Sequence, residues 1–227
     1  MKILGIDLGA CMSGNSAYVF AEITDEKYQL IELFKEPRHK DHVACETFLC
    51  EAIERLMPDV IAIDAPLTLP LALIKPNTAQ LSREGSGEIL NPYLFRYTDY
   101  YIYKTFGLRP MPPAGDRIGR LTARAIALLQ RYHYSFPYLH VKEKMIPIYE
   151  VYPKQIAQFL DFKAYKKDPQ ELFDTLHVRR EDYDEHLLDT LLCAFAGYHI
   201  TQGNTIQAPL HVSEEGWCFP LIGADTQ

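Results

Sequence analysis

Four carboxylates stand where the surrounding sequence calls for apolar side chains. Asp7 ends the run Ile3-Leu4-Gly5-Ile6, Asp64 ends Val60-Ile61-Ala62-Ile63, Glu150 lies within Met145 to Val151, and Asp189 interrupts the apolar stretch from Leu187 to Ala196. An ionised carboxylate buried without a partner is costly enough to protonate, unless a cation or several donors compensate it. If folding gathers the four, their combined charge calls for a divalent ion, and oxygen ligands favour Mg²⁺ or Mn²⁺. A structural role competes at each position. Asp64 precedes Ala65-Pro66 and could only open a turn, Asp7 could accept backbone N–H groups from Gly9 onward, and Glu150 could pair with an arginine. Asp189 is too far inside its helix to cap it, so a buried salt bridge is its competing reading. His186, three residues before Asp189 on the same helical face, could approach the same ion or simply mark the helix start. Asp182, Asp184 and Glu185 suit the cap and first turn of that helix.

These residues need elements that converge. Lys2 to Asp7, Ala17 to Ile23 and Tyr28 to Phe34 are apolar or alternating runs, the last two joined by a polar turn, and predict an antiparallel three-strand meander. Apolar residues at helical spacing from Asp41 to Leu56 predict a helix closed by Met57-Pro58, and Asp59 to Asp64 a fourth strand. Ala65 to Pro92 carries four prolines and the run Ser82-Arg83-Glu84-Gly85-Ser86-Gly87, which reads as a loop-rich insertion. Two helical pieces follow between Tyr93 and Lys144, then a fifth strand at Met145 to Val151. Helices are expected at Lys154 to Leu160, Pro169 to His177 and Tyr183 to His199. Three hairpin strands, a helix, a strand, an insertion at about 65–144, a strand and closing helices make an α/β order. It is that of a ribonuclease H-like fold, a mixed five-stranded sheet with three antiparallel strands and further parallel ones, flanked by helices. No second core is visible, so residues 1–227 read as one domain.

Composition sets limits. The 227 residues hold five cysteines, none in a CxxC pair, which argues for free thiols and against a disulfide framework or zinc site. Asp7 interrupts the first apolar stretch too early for a signal peptide, and no run supplies about 20 apolar residues for a membrane span. A cytoplasmic protein with no membrane partner is expected. With 23 Lys and Arg against 30 Asp and Glu the net charge is −7, at first sight unsuited to a polyanion. The average conceals an asymmetry: Arg96 to Met145 carries +6, leaving −13 for the remainder. Arg117, Arg120, Arg124 and Arg131 fall within about 60° on a helix that Asp116 should cap, a ridge suited to gripping phosphates, and tyrosines cluster nearby. A solvated helix face is the competing reading.

The segments Gly5-Ile6-Asp7, Ile63-Asp64-Ala65-Pro66-Leu67, Arg96-Tyr97-Thr98-Asp99, Tyr149-Glu150-Val151-Tyr152-Pro153 and His186 to Ala194 resemble, in order, the motifs of the group known as domain of unknown function 429. Its members are predicted nucleases of ribonuclease H-like fold, related to Holliday-junction resolvases. That resemblance implies Asp7, Asp64 and Asp189 as metal-bearing carboxylates. His186 stands where resolvases carry a further acid, Glu150 is its substitute, and Arg96 and Asp99 lie near the site. It further implies two-metal hydrolysis of a phosphodiester in a nucleic acid, and a homodimer is compatible with it. Arg117, Arg120 and Arg124 would then join Arg96 and Asp99 in holding substrate.

Two other classes remain open at this stage. Gly5-Ile6-Asp7-Leu8-Gly9 before a hairpin also resembles the phosphate loop of sugar kinases and actin-like ATPases, although the chain is short for two such lobes. A ribonuclease H-like module that binds without cutting is the other. Convergence of the Asp7, Asp64 and Asp189 oxygens within reach of one cation separates the nuclease from both.

Overall fold

The computed structural model describes residues 1–24, 27–76, 83–162, 164–178, 183–209 and 215–222. Six strands form one mixed sheet in the order β3-β2-β1-β4-β6-β5. β1 (Lys2–Asp7), β2 (Ala17–Ile23) and β3 (Tyr28–Lys35) are the expected meander, while β4 (Val60–Asp64) runs parallel to β1 and β6 (Lys144–Glu150) parallel to β4. This is the ribonuclease H-like arrangement, with one strand more than the sequence suggests. The extra strand, β5 (Tyr138–Val141), is a hairpin partner of β6 inside the segment read as helical. Its four residues bury Leu139 and Val141 and expose Tyr138 and His140, an alternation too short to stand out beside the helix before it.

Helices cover both faces. α1 (His42–Leu56) starts at Asp41, whose side chain accepts from Ala44 N, and ends at Met57 in a left-handed conformation. A single turn, α2 (Leu71–Ile74), and a 3-10 turn (Glu88–Leu90) interrupt the loop-rich insertion. α3 (Tyr97–Phe106) and α4 (Asp116–Arg131) complete it. Gly115, not Asp116, is the N-cap of α4; Asp116 is its first helical residue. α5 (Pro153–Phe159), α6 (Gln170–Thr175) and α7 (Glu185–Thr201) follow β6.

Strand alternation divides the core. Leu4, Ile6, Ile61, Ile63, Ile146 and Ile148 face a cluster completed by α1 and α4, whereas Ile3, Val60, Ala62 and Val151 face α5, α6 and α7. α7 lies almost directly on β1. A Cβ at Gly5 would sit 2.6 Å from the Ala194 backbone N, and one at Gly197 would press on Ala62 and Ile3 at 3.1 Å. Both glycines let helix and sheet approach closely, which sets the depth of Asp189 over the strand ends. Among the described residues no helix is long and apolar enough to cross a membrane.

Candidate functional site

Asp7 and Asp64 are the last residues of adjacent parallel strands and are partners in register. Counting back by twos, Asp7 shares a face with Gly5 and Ile3, and Asp64 with Ala62 and Val60; this is the face that α7 covers. α7 begins at Asp184, whose carboxylate accepts from His186 N and Leu187 N, and the next turn carries Asp189. Asp182 lies outside the described residues. All three carboxylates line one cavity of about 280 Å³, which Arg96, Asp99 and Glu150 also line, together with Ile102, Met111, Ile118 and Leu121.

Each carboxylate has a different environment. Asp7 is buried, which raises its pKa, while His186 Nδ1 at 2.6 Å from Oδ2 opposes the rise. The same contact is the main reason that the His186 imidazole is held above its ordinary value. Asp189 is also raised by burial, against a hydrogen bond from Lys166 Nζ at 2.6 Å and one from Tyr165 OH at 2.5 Å. Burial alone would lower the Lys166 ammonium, but the Asp189 bond raises it on balance. Asp64 stands apart. Its carboxylate makes no hydrogen bond or ion pair among the described residues, and its pKa is driven well up by burial first and then by the charges of Asp7 and Asp189.

Glu150 lines the same cavity, and its charge helps to raise the Asp64 pKa, but it comes from the other face of the sheet. It shares its parity with Ile146 and Ile148 and pairs in register with Ile63, so it belongs to the opposite face of the sheet. There Arg96 Nη2 and Nη1 donate to its two oxygens at 2.6 and 2.7 Å, and Leu67 N donates at 2.9 Å. Arg96 also donates to Asp99 Oδ1 and Oδ2, and Asp99 in turn accepts from Arg96 N. Both Glu150 oxygens accept bonds within a buried ion triad, as both Asp189 oxygens do from Tyr165 and Lys166. Arg96 and Asp99 lie beside the site, as expected, but Arg96 is 1% exposed and its guanidinium is satisfied by the protein rather than presented to a substrate.

The arginine ridge is broken at its centre. Arg124 is buried, bonding Glu36 at 2.7 Å and also the Ser16 hydroxyl and the backbone oxygens of Gly9 and Cys45. It ties the β1–β2 loop behind Asp7 to the end of β3 and to α1. Arg120 and Arg131 are exposed, and the Arg117 side chain lies outside the described residues. Replacing Arg124 by Met should therefore destabilise the protein by about 3–5 kcal/mol, because buried Glu36 loses its guanidinium partner and keeps only His39 and the Cys45 thiol nearby. Thermal unfolding followed by circular dichroism measures this; a change within about 0.5 kcal/mol would return Arg124 to the solvated surface.

The phosphate-loop reading of Gly5 to Gly9 loses its footing here. Gly5 makes room for α7, and Gly9 N donates to Ser16 Oγ while its oxygen accepts from Arg124. Sequence reasoning also missed Tyr165 and Lys166, which reach Asp189 from the turn between α5 and α6. No periodic pattern marks that turn.

Carboxylate oxygen is the donor type that suits a hard divalent ion, and the Lys166 charge partly offsets Asp64. Lys166 and His186 already supply positive charge to two of the three. Among the described residues no group of three His, Cys, Asp or Glu side chains could hold a metal ion, so the convergence that would separate the nuclease from the other classes is not met in this arrangement.

No family model matches the chain and no curated protein does, so the likeness to domain of unknown function 429 rests on the quoted motifs. Two solved structures of Thermus thermophilus RuvC are similar to it, one of them in complex with a Holliday junction substrate. Their sequence identities are 12% and 15%, both have a TM-score of 0.48, and each comparison covers 89% of this chain and 97% of the other. The fold assignment stands on strand order and polarity.

Proposed function

We propose that this protein is a divalent-metal-dependent nuclease in which Asp7, Asp64 and Asp189 hold Mg²⁺ or Mn²⁺. The observation that carries the reading is Asp64, a carboxylate that shares a cavity with two others and makes no hydrogen bond or ion pair among the described residues. An apolar or amide side chain would stabilise that position better, so the charge implies a use. A bound ion pair would activate water and neutralise charge on a phosphoryl group. The protein's own contributions are positional. His186 fixes one oxygen of Asp7, Tyr165 and Lys166 fix both oxygens of Asp189, and the Arg96 triad stiffens the mouth beside them.

The test is a cleavage assay with Mg²⁺ or Mn²⁺ on duplex, single-stranded, branched and RNA–DNA hybrid substrates, with Asp7→Asn as control. Metal-dependent cleavage lost in Asp7→Asn supports the reading, whereas cleavage undiminished in that variant overturns it. A non-catalytic binding module is the second reading, favoured by the lack of a ready ion cage among the described residues. Nucleic-acid binding without cleavage on any substrate would select it.

A further inference from the structure

A second cavity of about 440 Å³ opens beside the carboxylates, bounded by the start of α5 and the α5–α6 turn. It shares Asp64, Tyr152, Lys166 and Asp189 with the acidic cleft, so the two spaces meet at the unpartnered carboxylate. Its volume is that of a pocket for one small ligand. The chemistry of its wall differs sharply from the cleft. Lys154, Lys166 and Lys167 line it together with the rings of Tyr152 and Tyr165. Lys166 is spoken for by Asp189, and its ammonium lies 5.7 Å from the Tyr165 ring centre. Lys154 and Lys167 are exposed, and among the described residues neither side chain makes an ion pair or hydrogen bond.

We propose that this cavity seats one nucleotide of the substrate strand next to the phosphate to be cut, with its backbone phosphate on Lys154 and Lys167 and its base against Tyr152. The inference rests on the nuclease reading and deepens it by moving the substrate surface away from α4. An anion approaching three clustered carboxylates is repelled unless local positive charge offsets them, and Arg124, at the centre of the α4 ridge, is spent inside on Glu36. Two unpaired ammonium groups on the far side of Asp64 supply that offset where it is needed. An aromatic ring beside them gives a base a stacking surface that tolerates any sequence.

The test measures binding without catalysis. A fluorescently labelled single-stranded oligonucleotide is titrated with the full chain in EDTA at several salt concentrations. The variants are Lys154→Gln with Lys167→Gln, Arg120→Gln with Arg131→Gln, and Lys2→Gln with Lys27→Gln, the last at the opposite end of the sheet. Losing two phosphate contacts should flatten the slope of log K against log salt by about 1.4 and weaken binding about 20-fold near 0.1 M salt. The Lys154/Lys167 variant should show this with an unchanged melting temperature, and the Lys2/Lys27 variant should not. An unchanged slope in the Lys154/Lys167 variant, or the loss appearing instead with Arg120/Arg131, overturns the inference while wild-type cleavage keeps the nuclease reading intact. A wild type that neither binds nor cleaves overturns both.

Discussion

Asp64→Asn is expected to do two opposite things: stabilise the metal-free protein and abolish metal-dependent cleavage. The stabilisation follows from sign. Burial and the charges of Asp7 and Asp189 raise the folded-state pKa of Asp64 above its unfolded value, so the folded protein holds that proton more tightly than the unfolded chain. Wild-type stability from this group is therefore least at neutral pH and recovers as pH falls through the raised value. The amide carries no charge, so the variant should start higher at neutral pH, by about 1 kcal/mol or 2–4 °C in Tm, and lack that recovery. The loss of cleavage should be about 10³-fold, the scale on which removing a charge-stabilising group is felt. Added Mg²⁺ should raise the wild-type Tm, by about 2.7 kcal/mol of stability at 100 times its Kd, and leave the variant nearly unmoved. A variant that melts lower than wild type and keeps its Mg²⁺ response would mean that Asp64 serves the fold.

Asp7 and Asp64 could be placed together from sequence because two apolar strands each end in an acid at the same parity, and parallel pairing of such strands brings like ends together. Asp189 was legible because an acid inside an apolar helix has few roles. The same parity count separates Glu150 from them: Ile146, Ile148 and Glu150 alternate on the face of Ile61 and Ile63. Arg124 could not be read this way. On a helical wheel it stands with Arg117, Arg120 and Arg131, and its partner Glu36 is 88 residues earlier in the chain. Nothing local distinguishes a buried arginine from its exposed neighbours when the pairing is that distant. Tyr165 and Lys166 were hidden for a related reason, since irregular turns gain their meaning only from what they are packed beside.

The Arg96 triad supplies the sharpest separation between residues that hold the site and residues that act in it. Arg96→Met leaves Asp99 and Glu150 both buried without their cation, and a loss of about 5 kcal/mol, some 10–20 °C in Tm, is expected. Glu150→Gln should cost less, because Arg96 keeps Asp99 and the amide oxygen can still accept from Leu67 N. If Glu150 only braces the cleft, Glu150→Gln keeps cleavage within about tenfold of wild type below its melting point, whereas Asp64→Asn does not. Combining Arg96→Met with Glu150→Gln should then cost less than the two single losses added together, since residues in one ion network are not independent. Cleavage falling about 10³-fold in folded Glu150→Gln would move Glu150 from the brace to the chemistry. The contrast works because the two acids end neighbouring strands on opposite faces: one has every oxygen claimed by an arginine and a backbone amide, and the other has no such claim on it.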